Sequence, residues 1–154
     1  MTSSAPLSGI DHTIFRRAIM TDLAETPTLL DPRLVYRLDA VLSFTMGVGL
    51  LVLATPLANL IGWPPMHMVL LGAGIFLLPW ALFNWAIGAA TGPDATSLAA
   101  NILGDGLWVL LSVALLVLHS AQMTAIGVTL IIAQALAVGA VFALKLAGAK
   151  ALRT

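Results

Sequence analysis

Residues 40–93 contain no Asp, Glu, Lys or Arg, and residues 95–144 contain a single one, Asp105. A bilayer core takes about 20 mainly apolar residues of helix at 1.5 Å each. Each stretch is therefore long enough for two crossings and too short for three. The composition agrees: 60% of the residues are hydrophobic and 9% charged, against about 25% charged in soluble domains. So few charges exclude a soluble globular domain, a disordered regulator and a nucleic-acid binder. The absence of cysteine excludes disulfides, thiol redox relays and cysteine-held metals.

Turn chemistry divides the apolar stretches. Gly62-Trp63-Pro64-Pro65, Thr91-Gly92-Pro93-Asp94 and His119-Ser120-Ala121-Gln122 are the breaks, which predicts helices over 34–60, 66–89, 96–118 and 121–147. Asp31 before Pro32 is an N-cap with proline at the first helical position. Pro65 can serve the first turn of the second helix, and Asp94 and Ser120 can cap the third and fourth. Thr55-Pro56 is expected to end the straight part of the first helix. Tyr36 and Trp63 fall where an aromatic belt would lie.

The expected fold is an all-α membrane protein, a four-transmembrane-helix bundle with an N-terminal interfacial helix. Residues 1–33 form an arm in which Phe15, Ile19 and Leu23 recur four apart, the spacing of a short amphipathic helix. Residues 34–148 form the bundle and 149–154 a short basic tail. The seven basic residues lie before the first helix or at the two ends of the bundle that share a side: Arg16, Arg17, Arg33, Arg37, Lys145, Lys150 and Arg153. An even number of spans places both termini together, and the positive-inside rule puts them in the cytoplasm, as in a bacterial inner-membrane protein.

Lipid tails are as apolar as leucine, so membrane helices associate through close backbone contact at small residues. Gly47, Gly49, Gly72, Gly74, Gly104 and Gly106 form a Gly-x-Gly step in each of the first three helices and are the expected packing positions. Aligning Gly47–Leu53 with Gly104–Leu110 matches five of seven residues and sets Asp105 where the first helix has Val48. An Asp near mid-depth costs about 2.5–3.5 kcal/mol. Asn101, Trp108 and Ser112 share its helical stripe, while Asn84 and Gln134 lie on neighbouring helices. Arg37 and Asp39 stand at the start of the first helix, and Arg37 is long enough to reach inward. The expected intramembrane polar cluster is Arg37, Asp39, Asn84, Asn101, Asp105 and Gln134, with Arg37 the candidate partner of Asp105.

A second group gathers at the opposite face: Met66, His67, Met68, His119 and Met123. Thioether and imidazole suit Cu(I), and two histidines can hold a haem, but the spacing matches no ligand pattern. No metal or cofactor is expected. No catalytic residue set is expected either, because nucleophile–base pairs and phosphate loops are missing from the sequence.

The Arg37-to-Pro65 arm, the Asn101-x6-Trp108 stripe and the run Ala133–Val138 resemble the small four-helix integral membrane proteins of bacteria. In size and layout the chain is also similar to the DoxX-like group. The resemblance implies four spans and carries no site residues. Besides the lipid bilayer, the expected partner is a second copy or another membrane protein. The leading expectation is a non-enzymatic accessory, scaffold or self-associating subunit. The alternatives are a small transporter or proton- or cation-coupled permeation unit using Asp105, and a cofactor-holding subunit through His67 and His119.

Overall fold

A computed structural model describes residues 31–152, and the short helix expected around Phe15, Ile19 and Leu23 lies outside them. Four helices follow one another: α1 (Pro32–Ile61), α2 (Met66–Ala89), α3 (Ala95–His119) and α4 (Ala125–Gly148). Each is long and apolar enough to cross a membrane, with mean hydropathy between 1.9 and 2.2 over its span. All-helical among the described residues, the chain is a four-span integral membrane protein. We call the end where α1 and α3 begin the terminal end, and the opposite one the far end.

Large apolar side chains point outward, as a lipid-facing surface requires: Leu82, Leu103, Val117 and Leu136 are all at least 70% exposed. Small and polar residues point inward. The buried face of α2 runs Leu70, Gly74, Leu77, Ala81, Asn84, Gly88, an alternation of four and three that keeps one seam toward a neighbour. On α3 the buried face is Leu98, Asn101, Asp105 and Ser112, so this helix buries mainly polar groups.

α1 packs most extensively on α2, α3 on α4, and α1 also on α4, whereas the backbones of α2 and α3 barely approach. A Cβ on Gly47 would lie 3.2 Å from the Gly74 carbonyl oxygen, and one on Gly74 would lie 3.0 Å from that of Gly47. These two glycines set the spacing of the first hairpin. Gly49 and Gly72, expected to pack, have nothing within 4 Å of a Cβ position. In a helix, residues two apart sit about 200° around the axis, so one member of each step faces the partner and the other faces away. Gly104 leaves room for the Trp80 ring, and a Cβ on Gly106 would lie 3.3 Å from Phe142. The α2–α3 gap is filled by aromatic rings, Phe76 stacking on Trp80 and on Trp108.

The helix ends follow local chemistry with one difference from expectation. Asp31 accepts from the Arg33 amide, and Asp94 accepts from the amides of Thr96 and Ser97. Past Thr55-Pro56, expected to end only the straight part of the helix, α1 stays helical to Ile61, where Gly62 turns left-handed at φ 79° and bonds back to Ala58. Continuing the helix through Pro56 is the cheapest course, because lipid supplies no other partners for freed backbone groups. Thr124, and not Ser120, caps α4; residues 120–122 form a 3-10 turn. The Thr124 hydroxyl accepts from Gly127 N–H and donates to the Leu60 carbonyl at 2.7 Å, while its amide donates to Ile61. One residue thus starts α4 and satisfies the last carbonyls of α1.

Candidate functional site

The ammonium of Lys145 is enclosed toward the terminal end of the bundle. Its Nζ donates to Asp39 Oδ2 at 2.5 Å, Asp105 Oδ2 at 2.7 Å, and Asn84 Oδ1 and Asn101 Oδ1 at 2.8 Å each. Every helix contributes: Asp39 from α1, Asn84 from α2, Asn101 and Asp105 from α3, Lys145 from α4. The Lys145 side chain is wholly buried, and those of Asp105 and Asp39 are 5% and 14% exposed. Asn101 Nδ2 also donates to Asn84 Oδ1, Asn84 Nδ2 to the Trp80 carbonyl, and Ser43 Oγ to the second oxygen of Asp39. The Tyr36 ring covers the ammonium, 4.9 Å from Nζ to its centroid.

Helix polarity explains why this lysine reaches the site and Arg37 does not. Cα–Cβ bonds tilt toward a helix's own N-terminus. On α4, which begins at the far end, that tilt aims Lys145 into the bundle, although its Cα is only three residues from Gly148. On α1 the same rule aims Arg37 out toward the terminal end. There the Arg37 Nε donates to the Gly88 carbonyl at 3.0 Å and the Arg33 guanidinium to that of Thr91 at 2.8 Å. Both arginines meet carbonyls at or just past the C-terminus of α2, where cations are favoured. Asp39 and Asp105 lean toward the terminal end and meet the lysine coming the other way.

Of the expected cluster, then, Asp39, Asn84, Asn101 and Asp105 come together, and two members are corrected. Arg37 is exposed and bonds backbone. Gln134 belongs to a second network, taking the Trp108 indole N–H at 2.8 Å and donating to Ser112 Oγ at 2.7 Å. That network joins α3 to α4 alone. Two site residues escaped the sequence reading. By sequence position Lys145 is a flanking positive charge and Tyr36 a belt aromatic, yet both are essentially fully buried. Helix direction and Cβ tilt were the signal for the lysine, and the four-residue offset between Tyr36 and the buried Ala40 the signal for the tyrosine.

The far-end His/Met group does not assemble. Met66 is packed in the core with Ala58 and Leu70, while Met68 is 71% exposed. His119 stacks on Trp63 at 4.3 Å and bonds Gln122. His67 lines a shallow pocket with Thr55 and Asn59, and Met123 packs on the apolar core. Among the described residues no three His, Cys, Asp or Glu side chains gather as metal ligands.

The site has two uneven counts. An ammonium has three N–H donors, and four oxygens converge on it. It carries one positive charge, and two carboxylates face it. With all three groups ionised the site bears a net negative charge inside the membrane span, and one added proton makes it neutral.

Comparison with protein-family models, curated proteins and solved structures finds no match. The class of the protein is therefore the one that its fold and site define: a small four-span membrane protein with a buried carboxylate–lysine–carboxylate centre.

Proposed function

We propose that the protein is a small proton-coupled permeation unit of a bacterial inner membrane, and that the Asp39–Lys145–Asp105 centre is its proton site. The observation that carries this reading is the second carboxylate. A purely structural lock needs one carboxylate for one ammonium, and a further charge at this depth is expensive. Neutrality requires the second acid to hold a proton, which makes it a group that can load and release one. Asn84 and Asn101 hold the ammonium in either state, because their carbonyl oxygens accept from it whatever the carboxylates do. Release of the proton leaves a net charge, so it is favoured when another cation or a transmembrane potential compensates. In this reading the termini are cytoplasmic, with Arg33, Arg37 and Lys150 marking that side, and no enzymatic step is involved.

A second reading, an accessory or self-associating subunit, draws support from Gly49 and Gly72. Both have open space beside them and would let another helix approach closely. The two readings are compatible, since four packed helices leave no lumen and a pore would need several copies.

The test is Asp105→Asn in liposomes under an imposed potential, with an internal pH dye. Asparagine keeps the size and an oxygen for Lys145, and it leaves one carboxylate against one ammonium. The variant should fold as well as the parent and move protons at least tenfold more slowly. Parent-like flux in the variant, or a parent that moves none, overturns the proposal. The assembled mass in mild detergent tests the second reading.

A further inference from the structure

Tyr36 precedes Asp39 by one turn of α1 and lies between that carboxylate and the terminal end. It is 0% exposed, packed among Ile87, Leu98 and Leu152 with Phe83 beside it. One face of its ring covers the Lys145 ammonium. Its hydroxyl is the one buried side-chain polar atom among the described residues with no hydrogen-bond partner. A buried phenol normally finds a partner, and one without calls for an explanation. Packing does not supply it, since phenylalanine would fill the same space, keep the ring over the ammonium and bury no orphaned hydroxyl.

The cover over this tyrosine comes from the chain just past α4. Gly148 accepts from the Ala151 amide in a turn that leaves Leu152 8% exposed against Tyr36. Lys145 and Leu152 therefore sit on one continuous segment, the first inside the site and the second closing it.

We infer that the Tyr36 hydroxyl relays protons between the Asp39–Lys145–Asp105 centre and the water at the terminal end, and that Leu152 is the cover over that path. The inference rests on the proton-site reading above. In the loading step the phenol O–H bond breaks toward a carboxylate, directly or through one bridging water, and a carboxylic O–H forms. The phenol oxygen takes a replacement proton from an entering hydronium ion, which leaves as water. The tyrosine is unchanged over the cycle, and the centre gains one proton.

The experiment follows the carboxylic-acid carbonyl band by infrared spectroscopy while the full chain in liposomes is moved into D2O. It reads exchange at the buried acid and needs no net transport. Tyr36→Phe should keep the fold and thermal midpoint and slow the deuterium shift at least tenfold, while Leu152→Ala should accelerate it. Parent-like exchange in Tyr36→Phe overturns the relay, and an unchanged rate in Leu152→Ala overturns the cover. A parent without any protonated-carboxyl band overturns the proton-site reading itself, before either variant is measured.

Discussion

Toward the far end, Ala54, Ala58, Ile61, Met66, Leu70 and Ile131 pack α1, α2 and α4 with no charge among them. Toward the terminal end, four polar side chains converge on the Lys145 ammonium, and together the five residues tie all four helices. The contrast shows how a bundle becomes specific in a solvent that does not drive apolar surfaces together. Small-residue packing brings helices close but tolerates many partners. A charge with fixed acceptors admits one arrangement, because any other leaves buried polar groups unpaired. The α2–α3 pair makes the point most directly. Their backbones barely approach, yet Asn84 and Asn101 are joined to each other and to Lys145.

If the terminal half depends on that ammonium, Lys145→Met should have the largest effect of any single change. It leaves two carboxylates facing each other without a cation, and breaking a buried pair on one side costs about 3–5 kcal/mol. Adding Asp39→Asn and Asp105→Asn to Lys145→Met should recover most of the loss, since a fully neutral site has no unpaired charge. Thermal unfolding in mild detergent measures both. A Lys145→Met protein that melts with the parent would mean that the far-half packing alone holds the bundle.

The far half is tested by its glycines. Gly47→Leu or Gly74→Leu pushes a side chain into the facing carbonyl and should cost about 1–3 kcal/mol. Gly49→Leu and Gly72→Leu should stay within about 0.5 kcal/mol in the isolated chain, because they enter open space. The pairs differ by only two residues in sequence. Equal effects within a pair would mean that the α1–α2 seam is not where Gly47 and Gly74 meet.

What could be read from the sequence divides along the same line. The four spans and most of their ends follow from charge-free length and turn residues, which are local properties. So did Asp39, Asn84, Asn101 and Asp105, because a polar residue in an apolar run is conspicuous wherever it points. Lys145 was not conspicuous, since it stands near a helix end where basic residues belong, and only its direction distinguishes it. Arg37 illustrates the converse: length let it reach inward, and helix polarity sent it outward. Gln134 has nearly the right azimuth and the wrong depth: it stands eleven residues before Lys145, about three turns nearer the far end, where it meets Trp108 and Ser112. The glycine steps named the residues without saying which of each pair faced a neighbour. Thr124 was missed because its hold on Leu60 and Ile61 is tertiary, and nothing near residue 124 announces a contact so distant along the chain.

The smallest expected effect lies in the loop between the two hairpins and shows what a charge contributes when water can reach it. Asp94 is fully exposed, and its carboxyl is held below the usual 3.8, first by the Ser97 hydroxyl and then by backbone N–H groups of Ser97 and Thr96. A lowered value in the folded chain means that the ionised form is the one the fold favours. The contribution is therefore complete above about 3.8, where the unfolded chain is ionised too, and is lost as the pH falls through the lowered folded value. Asp94→Ala removes the cap of α3 and should lower the thermal midpoint slightly at about pH 7. In acid below the folded value the gap between parent and variant should narrow, because the parent's carboxyl is then protonated and its cap weakened. Lys145→Met differs in kind, since its penalty comes from two carboxylates that water hardly reaches. An Asp94→Ala midpoint shift as large as that of Lys145→Met would mean that capping at the loop, and not the buried centre, sets the stability of the terminal half.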